Sequence, residues 1–546
     1  MQKMMLLGDE AIAQAALDAG ISGIYAYPGT PSTEITEYVQ KSSFAREGKI
    51  HSDWSANEKT AMEAALGMSY AGKRSMVCMK HVGLNVAADP FMNAAITGVN
   101  GGMVVAVADD PSMHSSQNEQ DSRFFGKFAM IPVFEPADQQ ETYDMTYGAF
   151  ELSEQYKIPV MLRLTTRLAH SRSGVNRSEV MDQNPLILPD NPNQFILLPS
   201  LARKSYQTLL ENQDAFEKES EQSVFNQFID GEDRSVGIVV CGLAYNYLIE
   251  NFKDHIVPHP VLKISQYPLP RKKLAALYDM CESILVIEEG YPVVEELLGG
   301  ILGLGKKVHG RLEGTLPRAG ELTPDLVRMA FGLPTKKIKE IPDIIANRPP
   351  ALCKGCSHAD VYMALNEVMG IFGEARVFSD IGCYTLGALP PYNAIHTCVD
   401  MGASVTMAKG AADAGLIPAV CVIGDSTFTH SGMTGLLDAV LQNSPITVII
   451  SDNSTTAMTG GQASHATGRL ESICEGLGVP GEHIRILNPL KKYHGDNVIM
   501  LREEIIYDGV SVIIAQRECI QTATRKRREA RKEVPGKKSK PKNEIQ

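Results

Sequence analysis

From the N-terminus to about residue 175, short apolar runs alternate with longer stretches whose apolar positions recur at helical spacing. GISGIYAYPG, KRSMVCM, GGMVVAVADD and KIPVMLRLTTR read as strands and NEKTAMEAALGMSYAG as a helix. That alternation predicts a doubly wound α/β domain over 1–175. A polar stretch rich in Asn, Gln, Ser and Pro follows over 176–235 and reads as a connector, with one helix near SYQTLLENQDAFEKES. SVGIVVCGLAYNYLIENF and SILVIEEGYPVVEELLGGILG then restore the strand-to-helix rhythm and predict a smaller α/β domain over 236–335. Proline punctuation in IPDIIANRPPALCKGCSH marks the way into a third α/β unit over 345–522. The fold expected is multidomain α/β with parallel sheets.

Length and composition fit this division. A chain of 546 residues exceeds one core and suggests roughly three or four units, and 44% hydrophobic with 21% charged residues is ordinary for a globular protein. The opening MQKMMLLGDEAIAQAALDAG reads as a strand entering a helix, without the long apolar core and small-residue cleavage site of an export signal. No stretch reads as a membrane span, so the expected location is cytoplasmic. Ten cysteines are then reduced thiols or metal ligands, not a disulfide scaffold. The net charge is -12, although residues 524–546 hold a run of Lys and Arg. That run, with Pro and no apolar period, reads as a mobile basic tail, and the acidic remainder argues against nucleic acid and membrane partners.

The most informative chemistry lies between Asp425 and Asn453. An apolar strand ending Val-Ile-Gly-Asp is followed by a second ending Ser-Asp-Asn. Oxygen donors at the carboxyl ends of neighbouring parallel strands sit where open sheets receive ligands, and they suit Mg²⁺ bridging phosphates. Two ordinary strand ends are the plainer reading. Four cysteines form a second constellation: Cys353 and Cys356 in CKGC, Cys383 in DIGCYTLG and Cys519 in AQREC. Four thiolates suit Zn²⁺ or an iron–sulfur cluster, and a CxxC pair alone is equally compatible with redox activity. Cys78, Cys241, Cys281, Cys398, Cys421 and Cys474 lie in or beside apolar segments and read as packed thiols.

Taken together, YPGTPSTEI (27–35), WSANEKTAMEAALG (54–67), DDPSMHSSQNEQDSR (109–123), LRLTTRLAHSR (162–172), DIGCYTLG (380–387) and GDSTFTHSG (424–432) resemble the alpha subunits of indolepyruvate:ferredoxin oxidoreductases. These are thiamine diphosphate-dependent 2-oxoacid:ferredoxin oxidoreductases, and the resemblance covers about residues 4–522. It implies a pyrimidine-binding domain over 1–175, a transketolase C-terminal-like domain over 236–335 and a diphosphate-binding domain over 345–522. It further implies that Asp425, the side chain of Asn453 and the carbonyl of Thr455 bind Mg²⁺, with Gly424, Ser426 and His358 near the diphosphate. Ser426 stands where the thiamine signature usually has a second Gly. Glu58 matches the Glu that precedes a helix of small residues and protonates the cofactor's pyrimidine N1′; a helix-start charge is its plainer reading. Glu63 would point elsewhere. Cys353, Cys356, Cys383 and Cys519 match the ligands of a proximal [4Fe-4S] cluster.

Thr30 matches a substrate-touching Thr of the related pyruvate enzyme, and Ser116, Arg123 and Arg167 could bind a substrate carboxylate or serve the structure. His170 and His430 are open in the same way. Repeated CxxCxxCxxxCP runs, which build a ferredoxin-like module in many such subunits, do not follow Cys519. One cluster is therefore expected, with electrons passing to a separate ferredoxin. The implied reaction is oxidative decarboxylation of an arylpyruvate to the acyl-CoA, with coenzyme A as co-substrate, a smaller gamma-type (beta) subunit as partner and a dimer of heterodimers as assembly. TAMTGGQASHATGR replaces the GHQPHPG-like run of arylpyruvate enzymes, and Gly460 and Gly461 look more like the pyruvate and 2-oxoglutarate branches. A branched-chain or other 2-oxoacid is the alternative. A non-oxidative thiamine decarboxylase or a catalytically silent subunit of the same fold are the further rivals.

Overall fold

A computed structural model describes residues 3–335, 344–345, 350–373 and 376–533, residues 531–533 by their backbone only. The chain divides into two compact units, Met1–Glu340 and Ile341–Gln546. The expected boundary between 335 and 345 and the tail beyond residue 533 fall largely outside the described residues.

The first unit holds a six-stranded sheet in the order Gln266–Tyr267, Val133–Phe134, Val160–Thr165, Met103–Asp109, Ser75–Lys80, Gly23–Ala26. All neighbours are parallel except the first pair. Because successive side chains of a strand face opposite sides, Val77, Met79, Val105 and Val107 enter one core, and Met76, Cys78, Val104 and Ala106 the other. A parallel sheet buried on both faces needs continuous apolar strands, which is why these segments show no polar alternation. Helices on both faces complete the doubly wound pattern.

A second, five-stranded sheet runs in the order Val308–His309, Ser283–Ile287, Val236–Cys241, Val261–Ile264, Gln227–Ile229. It is less separate than the sequence suggests. Val239, Cys241, Leu262, Ile264 and Val286 join the same core as Val77 and Val105, and the short strand Gln266–Tyr267 closes an edge of the first sheet. A buried ionic cluster also joins the two sheets: Arg163 donates to Asp109 Oδ2 (2.6 Å), and Arg123 donates to Asp121 (2.6 Å) and to Glu288 beyond Ser283–Ile287 (2.9 Å). The expected connector carries two helices, Pro199–Glu211 and Gln213–Gln222.

The second unit is built on one parallel sheet, in the order Val377–Ser379, Ala419–Gly424, Ile446–Asp452, Ser511–Gln516, Ile484–Leu487. It too is covered on both sides, with Cys421, Ile423, Val448 and Ile450 facing one core and Val420, Val422, Ile449 and Ile513 the other. One expectation is corrected at its end. The basic run was read as a mobile tail from residue 524, yet a helix spans Ile520–Glu533, and Arg525 donates to the carbonyls of Gly460 (2.8 Å) and Gly461 (3.2 Å). Lys and Arg are good helix formers, and those carbonyls anchor the first turns. Among the described residues no helix is long and apolar enough to cross a membrane.

Candidate active site

In the second unit, Ala419–Gly424 and Ile446–Asp452 are adjacent, wholly buried and in register, with Gly424 opposite Ser451. Their carboxyl ends therefore deliver Asp425 and Asn453 to one edge of the sheet. Asp425 is only 2% exposed and its Oδ2 has no hydrogen-bond partner. Burial pushes its carboxyl up to about 7, the Ser464 hydroxyl opposing the rise and Asp452 adding to it. Asn453 Oδ1 accepts from the Thr455 N–H at 3.1 Å. The turn between them has Ser454 at φ +59°, held by the Asp452 carboxylate, which accepts from the Ser454 N–H at 2.9 Å. Ser426 and Thr456 join the two strand ends by a hydroxyl contact of 2.9 Å. Such an orphaned, buried carboxylate oxygen is costly, and a bound cation would satisfy it; the donor set fits Mg²⁺.

His358, near the start of the helix Ser357–Met369, faces the same edge. It is buried, and burial lowers its imidazole to about 4. Its Nε2 lies 3.5 Å from Nδ2 of Asn453. A neutral ring that accepts from the Asn amide must carry its proton on Nδ1, and Nδ1 is itself buried without a partner. That leaves one N–H ready for an anionic oxygen.

Cys353, Cys356, Cys383 and Cys519 line a single cavity of about 470 Å³ together with His358 and Asn453. Asn453 is again the junction, because its backbone carbonyl accepts from the N–H of Cys519 at 3.1 Å. Burial, reinforced by the other three thiols, pushes Cys383 up to about 12, so a thiolate here needs a bound cation. Among the described residues no three of these sulfurs lie within 4.8 Å of one another. The loop carrying Cys383 is fixed by Asp380, whose Oδ2 accepts from the hydroxyl of Ser404 (2.6 Å) and the N–H of Gly402 (3.1 Å). Tyr384 donates its hydroxyl to Asp380 and lays its ring against Gly424, where a Cβ would come within 2.6 Å. Asp380, Tyr384 and Ser404 were not singled out from sequence; Asp380, ending an apolar strand just before the Cys383 loop, was the available signal. Five of the other six cysteines are buried as expected, but Cys398 is exposed, since it sits in a loop outside the sheet.

In the first unit, Glu58 is the first residue of the helix Glu58–Tyr70, behind an Asn57 cap that accepts from Thr60. Its carboxyl group is buried and passes directly over Gly83, where any Cβ would stand 2.6 Å from Oε1. Glu63 is exposed and paired with Lys59. Thr30 lies beyond the strand Gly23–Ala26, and its carbonyl accepts from the Ser115 hydroxyl at 3.0 Å. Lys80, at the end of Ser75–Lys80, donates to the Ser115 carbonyl at 3.0 Å, and burial lowers its ammonium group with Asp110 and Glu58 opposing. Ser116 donates its hydroxyl to Asp110 at 2.7 Å. Lys80 and Asp110 are additions of the structure; Lys80 ends one strand and Asp110 follows another, where a polar residue after an apolar run was the signal.

Two expected substrate ligands have different fates. Arg123 is buried, and its guanidinium is occupied by Asp121, Glu288 and the carbonyls of Glu289 and Tyr291. No donor is left for a substrate, so the structure corrects that assignment to a structural one. Arg167 is partly exposed, with Glu321 at 2.8 Å and its guanidinium over the Tyr247 ring. His170 stands beside Glu34, and His430 is buried in the turn following Asp425.

Comparison with known proteins gives the family. A family model described as pyruvate flavodoxin/ferredoxin oxidoreductase, thiamine diphosphate-binding, matches residues 14–218. Another, thiamine pyrophosphate enzyme, C-terminal TPP binding domain, matches residues 380–491. Both place the chain among thiamine diphosphate enzymes. It is 39% identical to the indolepyruvate oxidoreductase subunit IorA of Archaeoglobus fulgidus, over 96% of this chain and 88% of that one. It is 39% identical to the subunit of the same name from Methanothermobacter marburgensis, over 95% and 87%. A solved 2-oxoglutarate:ferredoxin oxidoreductase from Magnetococcus marinus aligns at 17% identity and a TM-score of 0.49, covering 60% of this chain and 65% of that one. The chain belongs to the IorA family of thiamine diphosphate-dependent 2-oxoacid oxidoreductases and is an enzyme of that class.

Proposed function

We propose that this enzyme oxidatively decarboxylates an arylpyruvate such as indolepyruvate to the acyl-CoA and delivers the electrons, through one [4Fe-4S] cluster, to ferredoxin. The observation that carries the proposal is Asn453: one face of it belongs to the metal–diphosphate edge and the other to the four-cysteine cavity. When bound, thiamine diphosphate supplies the nucleophilic carbon and electron sink, and an iron–sulfur cluster the one-electron acceptor.

The residues of the chain have the following parts. Asp425, Asn453 and the Thr455 carbonyl hold Mg²⁺, and Gly424 and Ser426 shape the turn that receives the diphosphate. His358 donates its Nδ1–H to a diphosphate oxygen. Glu58, shielded from water, holds a proton at the pyrimidine N1′. Cys353, Cys356, Cys383 and Cys519, which line one cavity, hold the cluster. Thr30, Ser116 and Arg167 meet the substrate, Arg167 through the side of its fork not paired with Glu321. The domains at 1–175, 236–335 and 345–522 are the pyrimidine, transketolase C-terminal-like and diphosphate domains. The assembly is a dimer of heterodimers with a smaller gamma-type subunit; the relatives' names support the presence of a further subunit and no more.

The aromatic substrate rests on those names, while Gly460 and Gly461 beside the cavity favour a smaller 2-oxoacid as the second reading. Anaerobic assay with the partner subunit decides between them. Ferredoxin reduction dependent on both indolepyruvate and coenzyme A supports the proposal; reduction with a branched-chain 2-oxoacid or 2-oxoglutarate alone would replace the substrate. Carbon dioxide release without reduction would replace the reaction with a non-oxidative one.

A further inference from the structure

In the first unit three helix ends meet. Asp9 lies in the first turn of Gly8–Asp18, Glu34 in the first turn of Thr33–Gln40, and His170 ends Thr166–His170. One oxygen from each carboxylate and one imidazole nitrogen all lie within 4.8 Å of one another. We propose that Asp9, Glu34 and His170 bind a divalent first-row metal ion at a site distinct from the Mg²⁺–diphosphate motif.

The cluster has a second, independent mark. Asp9 is fully buried, and neither of its carboxylate oxygens has a hydrogen-bond partner; Glu34 Oε2 is also buried and unpartnered. Buried polar atoms are almost always satisfied, and an ion is one of the few things that explains three orphans together. Burial pushes the Asp9 carboxyl well above its ordinary range, with Glu34 and Glu10 adding to the rise. The hydrogen bond to Glu34 raises the His170 imidazole's affinity for its proton in the metal-free site; a metal ion displaces that proton, and the two carboxylates with the then neutral imidazole carry a charge of about -2, which a divalent ion cancels. The mixed oxygen and nitrogen donors suit Mn²⁺, Fe²⁺ or Zn²⁺ better than Ca²⁺. Glu34 and His170 are each about two-fifths exposed, which leaves the ion a path in.

The position gives the ion a task. Glu34 follows the loop carrying Thr30, and His170 lies three residues after Arg167. Bound metal would fasten both segments to the helix Gly8–Asp18. The inference does not depend on the proposed reaction.

The test is a Mn²⁺ titration of the cofactor-free chain followed by EPR, carried out on Asp425→Asn so that the diphosphate motif contributes no metal. About one Mn²⁺ per chain should bind, displaced by Zn²⁺, and it should be lost when Asp9→Asn is added and weakened at least tenfold by His170→Gln. The same Mn²⁺ should raise the melting temperature of Asp425→Asn but not that of the double variant. Folding is controlled by the metal-free melting temperature, which Asp9→Asn should preserve or raise because it removes an unpartnered charge. Absence of uptake by Asp425→Asn, or unchanged uptake with Asp9→Asn, would overturn the proposal, and the first result together with a raised melting temperature for Asp9→Asn would assign a shared proton to the cluster instead.

Discussion

Asn453 faces His358, with Nδ2 and Nε2 3.5 Å apart, while its side-chain oxygen accepts from Thr455 and its backbone carbonyl from Cys519. One residue thereby sets the metal turn, the tautomer of the histidine and the position of the last cysteine. Its neighbours are one hydrogen bond away, so a shift at either motif is felt at the other.

Cofactor affinity should depend on pH through Asp425. Its folded carboxyl titrates at about 7 against an ordinary value of about 3.9, and Mg²⁺ requires the ionised form. Binding of Mg²⁺ with thiamine diphosphate should therefore weaken about tenfold between roughly pH 8 and pH 6. The cofactor-free chain should show the opposite trend. Over the window from about 4 to about 7 the folded state holds a proton that the unfolded state has lost, so this group's contribution to stability declines as pH rises. Calorimetric titration and urea unfolding of wild type and Asp425→Asn would check both; the variant should lack the stability decline and bind the cofactor poorly at every pH.

Glu58→Gln should lower turnover by about 10²–10⁴-fold with its fold intact, since a buried general acid is worth that much. Glu63→Gln, at an exposed pair on the same helix, should leave turnover within about twofold and stability within about 0.5 kcal/mol. Steady-state kinetics with circular dichroism melts separates these outcomes, and equal losses in the two variants would contradict the role given to Glu58.

Arginine variants should divide along the same line between site and scaffold. Arg123→Met leaves Asp121 and Glu288 buried without their partner and should cost about 3–5 kcal/mol of stability. Arg167→Gln should leave stability nearly unchanged and raise KM for the 2-oxoacid. Chemical denaturation and KM measurements on the two proteins test the correction made for Arg123.

The difference between those two arginines shows what the sequence could and could not convey. The parallel sheets were legible because runs such as MVVAVAD are apolar up to their last residue, and the metal turn because Asp425 and Asn453 each close an apolar run; Cys519, far in sequence from Cys353, Cys356 and Cys383, came only from the family resemblance. Arg123 was not legible, because its partner Glu288 lies 165 residues away and nothing local distinguishes an arginine that welds two sheets from one that meets a substrate. Asp380 and Tyr384 escaped notice for a related reason: their work is to hold neighbouring loops, Asp380 accepting from the Gly402 N–H and the Ser404 hydroxyl and Tyr384 donating to the carbonyl of Ile381, and no local sequence pattern marks those contacts. The basic helix Ile520–Glu533 was misread because the carbonyls that anchor Arg525 belong to a turn some 65 residues earlier.

The central claim is that the cavity lined by Cys353, Cys356, Cys383 and Cys519 holds one iron–sulfur cluster, and it is tested most directly by iron and sulfide analysis of anaerobically purified enzyme. About four irons and four sulfides per chain are predicted, with visible absorption that bleaches on adding indolepyruvate and coenzyme A and is absent from Cys383→Ala. A reconstituted protein that contains no iron, or that holds a single zinc ion on these cysteines, would contradict the account.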